Sequence, residues 1–183
     1  MGIAELEYPS AVTMPLDARL RSLLDYWNSR RGPDRAAPAR ADLSPADVPD
    51  LLPWIMLLDA VEDDYRHRLV GTGLDGLFGR PLTGVTLSNA WPARLGGHWR
   101  QWMDHACRQK VPVGTWATIA TKRGPLRLDT VILPLSNQPD QIDMLLCGVS
   151  GSGLRRLKPL FPHASNAVIE DALLHFDAGE LTV

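Results

Sequence analysis

The apolar positions near the start of the chain follow a helical period. One stripe, opposed by charged residues, consists of Leu16, Leu20, Leu23, Leu24 and Trp27. This spacing predicts an amphipathic helix over about 16–29. Gly32, Pro33 and Pro38 then break regular structure and predict a connecting segment. Ser44 before Pro45 resembles a helix start, and Pro49 and Pro53 limit that helix to about two turns.

The pattern next changes to that of strands. Apolar and β-branched residues over 54–61, a polar turn at 62–64 and an alternating run over 65–72 predict a hairpin. Three further strand-like runs at 112–121, 125–136 and 141–150 follow one another without a helix between them. These runs predict an antiparallel meander.

Helical spacing returns between and after these strands. Dense glycines over 73–90 allow only short helices, whereas the apolar spacing over 91–110 predicts the longest helix of the core. A weaker amphipathic pattern from Ala167 to Phe176 predicts a C-terminal helix that stops at Gly179.

The order of these elements predicts an α+β fold. Its centre is a five-stranded antiparallel sheet, with short helices and one long helix packed on one face and flanking helices at both termini. We divide the chain into an N-terminal helix and connecting segment at 1–43, a core at 44–151 and a C-terminal extension at 152–183.

Composition narrows the function classes. The 183 residues are 45% hydrophobic and 22% charged, which is typical of a globular protein with one domain. A net charge of −2 and a pI near 6.2 disfavour nucleic acid and anionic membranes as partners. The N-terminus lacks the pattern of a secretion signal and no apolar run could span a bilayer, so we expect a cytoplasmic protein.

Several local phrases carry a resemblance to a known family. They are Asp25-Tyr26-Trp27, Pro38-Ala39-Arg40, Asp42-Leu43-Ser44-Pro45, Leu51-Leu52-Pro53, Tyr65-Arg66-His67-Arg68-Leu69-Val70-Gly71-Thr72 and Phe78-Gly79-Arg80-Pro81-Leu82-Thr83-Gly84. In this order and spacing the chain from about Leu23 to Ser150 resembles a family of small bacterial proteins built around a single PAS domain. Gly71-Thr72 stands where PAS domains often place an asparagine, so no ligand contact is carried over through that position.

The resemblance implies a sensory or protein-interaction role, often through dimers, and specifies no ligand. A cavity between the long helix and the sheet is where a planar ligand would fit. Our candidates for lining such a pocket are Phe78, Trp91, Trp102, Trp116, His98, His105 and Leu69. The alternative is that these rings fill the core, as an aromatic stripe at helical spacing usually does.

The sequence does not specify a cofactor. His98 and His105 lie on the long helix, where a haem-binding PAS domain carries its axial ligand. Against haem, the meander shows no second anchoring pattern, and histidines at such a boundary are typically hydrogen-bonded or solvated. The Asn-Cys-Arg-Phe-Leu phrase needed for a cysteinyl-flavin adduct is missing from 73–90. Cys107 and Cys147 lack metal-ligand spacing and are interpreted as buried apolar residues.

No catalytic motif is present, so we predict that the chain is not an enzyme. The first hypothesis is a single-domain signalling module that binds a small molecule or docks a signalling partner. The alternative is a ligand-free PAS scaffold that acts through protein interaction alone. The N-terminal stripe must be buried somewhere, and helices that flank PAS domains commonly bury theirs against the sheet or a second subunit. We favour a second subunit, so Leu16, Leu20, Leu23 and Trp27 are candidates for a homodimer interface.

Overall fold

The fold is known from a computed structural model, which describes residues 16–91, 93–121, 124–138, 141–151 and 175–180. The helices are α1 (Ala18–Arg31), α2 (Thr72–Phe78), α3 (Leu87–Ala90) and α4 (Ala93–Gln109). Single 3-10 turns occur at Arg40–Asp42, Pro45–Asp47 and Leu52–Trp54. The strands are β1 (Ile55–Val61), β2 (Asp64–Val70), β3 (Val113–Thr121), β4 (Gly124–Gln138), β5 (Gln141–Ser150) and β6 (His175–Glu180).

One antiparallel sheet holds all six strands, in the order β2-β1-β5-β4-β3-β6. The hairpin β1–β2 turns at Glu62 and Asp63, where Glu62 has φ of 40°. The meander β3–β4–β5 returns the chain to β1, so the two halves of the sheet join between β1 and β5. The predicted α+β fold with a five-stranded antiparallel sheet is thereby confirmed.

Both faces of this sheet are covered. On the side called here the helix face, α2, α3 and α4 bury a cluster that includes Met56, Leu58, Ile132 and Leu145 from the strands. On the side called the α1 face, α1 and the 3-10 turns cover a second cluster. Strand β5 is buried from Met144 to Ser150 because it has a cover on each face.

Helix α1 is held closely on the sheet. The Asp17 carboxylate accepts a hydrogen bond from the Arg19 N–H at 2.9 Å and begins the helix. Trp27 is 1% exposed and its Nε1–H donates to the Pro134 carbonyl at 2.7 Å. A Cβ placed on Gly148 would lie 2.5 Å from Leu23 Cδ2, so glycine is what allows this close approach.

The structure corrects two predictions. Residues 175–180 form strand β6 on the free edge of β3 and are not helical, so the sheet has a sixth strand. Asp177 and Gly179 are poor helix formers, and the edge of β3 offers backbone partners. The predicted C-terminal helix otherwise lies outside the described residues.

The predicted two-turn helix after Ser44 is only the single 3-10 turn Pro45–Asp47. The Ser44 side chain makes no capping hydrogen bond; its backbone N–H donates to the Tyr26 hydroxyl at 2.8 Å. This contact draws the segment onto α1 and leaves no room for a longer helix.

Candidate functional site

The helix face carries a tightly packed group of aromatic rings. The ring centroid of Trp91 lies 4.5 Å from that of Phe78 and 3.9 Å from that of Trp99, both with edge-on geometry. Trp102 and His105 are also buried there, with ring centroids 5.8 Å apart. These rings therefore pack against one another on the helix face.

His67 is a fully buried polar side chain on the same face. It lies opposite Leu58 in the β1–β2 ladder and is 0% exposed. Its Nδ1 is 2.7 Å from the Val85 carbonyl, which can only accept, so Nδ1 carries the proton. Nε2 then presents a lone pair without a partner among the described residues. Burial lowers the pKa of this imidazole and keeps the ring neutral.

A second polar contact on the helix face connects β2 with α4. The Tyr65 hydroxyl donates to Asp104 Oδ1 at 2.8 Å and lies 3.6 Å from Cys107 Sγ. Burial raises the pKa of Tyr65 and of both thiols, Cys107 and Cys147. Protonated thiols are poor nucleophiles, which supports their interpretation as buried apolar residues.

The α1 face contains an open cavity of about 240 Å³. It lies between α1, the 3-10 turns and the strands at the β2 edge of the sheet. Its lining consists of Tyr26, Arg40, Leu43, Ser44, Pro45, Val48, Leu52, Ile55, Leu57, Leu69 and Leu146. Its surface is almost wholly apolar and one side opens to solvent.

Polar contacts outside the cavity hold its wall in place. The Tyr26 hydroxyl donates to Asp47 Oδ2 at 3.0 Å, and Arg30 forms an ion pair with the same carboxylate at 2.8 Å. The Arg30 guanidinium also lies 5.3 Å from the centre of the Tyr26 ring. Helix α1 and the segment 43–48 are therefore joined by one network beside the cavity.

A second network fixes the first 3-10 turn. Asp42 accepts from Arg35 at 2.6 Å and from the Ala39 backbone N–H at 3.0 Å. The hydrogen bond from Arg35 is the main cause that lowers the pKa of Asp42. The Ser136 N–H donates to the Pro38 carbonyl at 3.1 Å and attaches this segment to the end of β4.

The structure divides the predicted pocket residues between the two faces. Phe78, Trp91, Trp102 and His105 are buried together on the helix face. Leu69, 46% exposed, borders the cavity on the α1 face, and Trp116 packs beside the α1 cluster with the Arg127 guanidinium 4.8 Å from its ring centre. The side chain of His98 lies outside the described part. The structure therefore brings four of these residues together on the helix face and places Leu69 and Trp116 on the α1 face.

The predicted dimer stripe is buried within the chain. Leu20, Leu23 and Trp27 are only 1–2% exposed, and Leu16 packs against the same α1 cluster. Their own sheet covers them, and a homodimer interface through these residues stays a prediction.

Sequence reasoning missed the segment that builds the cavity. Residues 40–48 were interpreted as connection and helix start, yet Arg40, Leu43 and Val48 form one wall. The signal was the apolar Leu43 and Val48 in a segment otherwise polar or small. The cavity lining contains no histidine, cysteine or carboxylate, so the arrangement suits the binding of a largely apolar molecule.

Comparison with known proteins agrees with this architecture. A family model described as PAS domain matches residues 17–150. No curated protein and no solved structure matches the chain significantly. Within the described residues, no helix is both long and apolar enough to cross a bilayer.

Proposed function

The chain belongs to the PAS domain family, and we propose that it is a signalling module that binds a small molecule in the cavity on the α1 face. PAS domains are generally sensory and not catalytic, and the surface of this cavity is almost wholly apolar. The one observation that carries the proposal is this open, apolar cavity beneath α1.

A ligand in this cavity would contact both α1 and the connecting segment, which together cover this side of the sheet. Tyr26 belongs to α1, Leu43 and Val48 belong to the connecting segment, and Leu57 and Leu146 belong to the sheet. Filling the cavity therefore changes the free energy of keeping α1 and the segment docked. Helix α1 then transmits occupancy to a signalling partner.

The test is native mass spectrometry of the protein purified from its own host, for wild type and Val48→Trp. Val48 borders the cavity and is half-buried, so an indole there would occupy the space from its rim. Ala46→Trp is the matched control, because Ala46 is exposed in the neighbouring 3-10 turn and does not line the cavity. We expect a bound small molecule in wild type and Ala46→Trp and none in Val48→Trp. The same adduct in all three proteins, or none in any, would contradict the proposal.

A second candidate function is a ligand-free scaffold that acts by docking a partner. The observation in its favour is the mutual packing of Phe78, Trp91 and Trp99 on the helix face. A wild-type protein without an adduct in the experiment above would support this function. Homodimer formation and a cytoplasmic location stay predictions, and the mass of the native particle tests the first of them.

A further inference from the structure

Arg40 stands at the border of the apolar cavity with most of its hydrogen-bonding capacity unused. Its side chain is half-buried along the wall, and its Nη1 donates to the Leu43 carbonyl at 3.1 Å. A guanidinium has five N–H donors, and this contact uses one of them. An arginine can cover apolar surface with its aliphatic stem while its guanidinium stays available to a polar partner.

The first two carboxylates that follow Arg40 in the chain are bound to other cations. Asp42 pairs with Arg35 at 2.6 Å and Asp47 pairs with Arg30 at 2.8 Å. Among the residues that the structure describes, no carboxylate forms an ion pair with Arg40. An apolar cavity is thus bordered by a positive charge that its surroundings do not neutralise.

Resting on the proposed function of this cavity, we infer that its ligand is a small amphipathic carboxylate whose apolar chain enters the cavity and whose head group pairs with Arg40. A carboxylate matches the planar guanidinium and accepts two parallel hydrogen bonds from it. The apolar wall accepts a hydrocarbon chain without leaving a polar group unpaired.

The cavity volume sets the size of this ligand. About 240 Å³ equals the volume of roughly eight water molecules in the liquid. That space is below the usual range for drug-sized ligands, and it is large enough for a short or medium hydrocarbon chain.

The experiment compares octanoate with octanol, which has the same chain and no charge. Binding to the full chain is followed by NMR chemical-shift titration of the methyl groups of Val48, Leu57 and Leu69, which line the cavity. We expect both probes to shift these signals and octanoate to bind about fivefold more tightly. Added salt should weaken the binding of octanoate and leave the binding of octanol unchanged.

Arg40→Gln removes the charge and should bring octanoate to the affinity of octanol. The control Arg108→Gln removes an exposed arginine from α4 on the opposite side of the sheet and should leave both affinities unchanged. Equal affinities of the wild type for octanoate and octanol would refute the inference that the ligand carries a carboxylate paired with Arg40. The cavity would then be a site for neutral ligands. Failure of both probes to shift the lining methyl signals would instead contradict the proposed cavity itself.

Discussion

At the residue scale, the α1 face depends on a few side chains with defined partners. Trp27 combines complete burial with a hydrogen bond from its indole to a strand carbonyl 107 positions away. Tyr26, its neighbour, faces the connecting segment and hydrogen-bonds to Ser44 and Asp47. Trp27 thus joins α1 to the sheet, and the preceding residue, Tyr26, joins α1 to the cavity wall.

Replacing Trp27 by Phe should lower the free energy of unfolding by about 2 kcal/mol. The change leaves a void in the core and removes the Nε1–H donor from a buried contact with the Pro134 carbonyl. Urea unfolding measures the loss. Tyr26→Phe is the comparison. The hydrogen bonds of the Tyr26 hydroxyl are partly exposed to water, so removing the hydroxyl should lower the free energy of unfolding by less than about 1 kcal/mol. Equal losses in the two variants would contradict this account.

His67 predicts a pH dependence of stability. Its pKa in the folded state lies below the ordinary value of 6.5, chiefly because of burial, with Asp64, Asp75 and Arg80 as the charged neighbours. Below pH 6.5 the unfolded chain therefore takes up a proton before the folded chain does. The contribution of neutral His67 to the free energy of unfolding is fully present above pH 6.5. It decreases as the pH falls from 6.5 towards the pKa of the folded state.

His67→Gln should reduce this loss. We expect the decrease in unfolding free energy between pH 7.5 and pH 5.5 to be smaller in the variant by about 1 kcal/mol. Urea unfolding at both pH values measures it, and the difference between the two proteins cancels the titration of other groups. Identical pH profiles would show that His67 does not titrate differently on folding.

Leu69, a pocket candidate from the sequence, lies on the α1 face for a physical reason. In a regular strand His67 and Leu69 would point the same way, but an irregularity in the β1–β2 register leaves Arg68 unopposed. Leu58 therefore lies opposite His67 while Leu57 lies opposite Leu69, and Leu69 turns to the α1 face. A one-residue shift of this kind has no signature in the alternation of Arg66, His67 and Arg68.

At the element scale, periodicity predicted most elements within a few residues. The long helix expected over 91–110 is α4 at Ala93–Gln109, and the hairpin strands are Ile55–Val61 and Asp64–Val70. The face of the sheet that each flanking element covers was not predictable. Both faces of β5 are buried, so its apolar run carries no alternation to show which side α1 occupies.

The approach of α1 to β5 can be tested with a single methyl group. Gly148→Ala would place a Cβ 2.5 Å from Leu23 Cδ2 and 3.1 Å from Leu20 Cδ2. We expect a loss of roughly 1–3 kcal/mol in thermal unfolding, because the helix must shift off the strand.

The control for that substitution is Gly97→Ala on α4. Nothing lies within 4 Å of its added Cβ. Alanine in the middle of a helix should raise stability by about 0.5–1 kcal/mol. A neutral effect of Gly148→Ala would mean that α1 does not contact β5 as closely as the structure shows.

At the scale of the whole molecule, the two faces of one sheet have different characters. The helix face is occupied by aromatic rings packed on one another, whereas the α1 face retains an open apolar cavity with Arg40 at its border. The sequence indicated the first region through its tryptophans. It did not indicate the second, because a cavity arises from how a connecting segment docks and has no period of its own.

The central claim is that occupancy of the cavity changes how firmly α1 is held. Amide hydrogen exchange of Ala18–Arg31, measured with and without octanoate, tests this claim most directly. With the ligand at about ten times its Kd, and if α1 must undock to release it, exchange in α1 should slow about tenfold. Exchange in α4 should not change. Octanoate that binds in the cavity without altering exchange in α1 would contradict the claim, because the cavity would then be a site without an output.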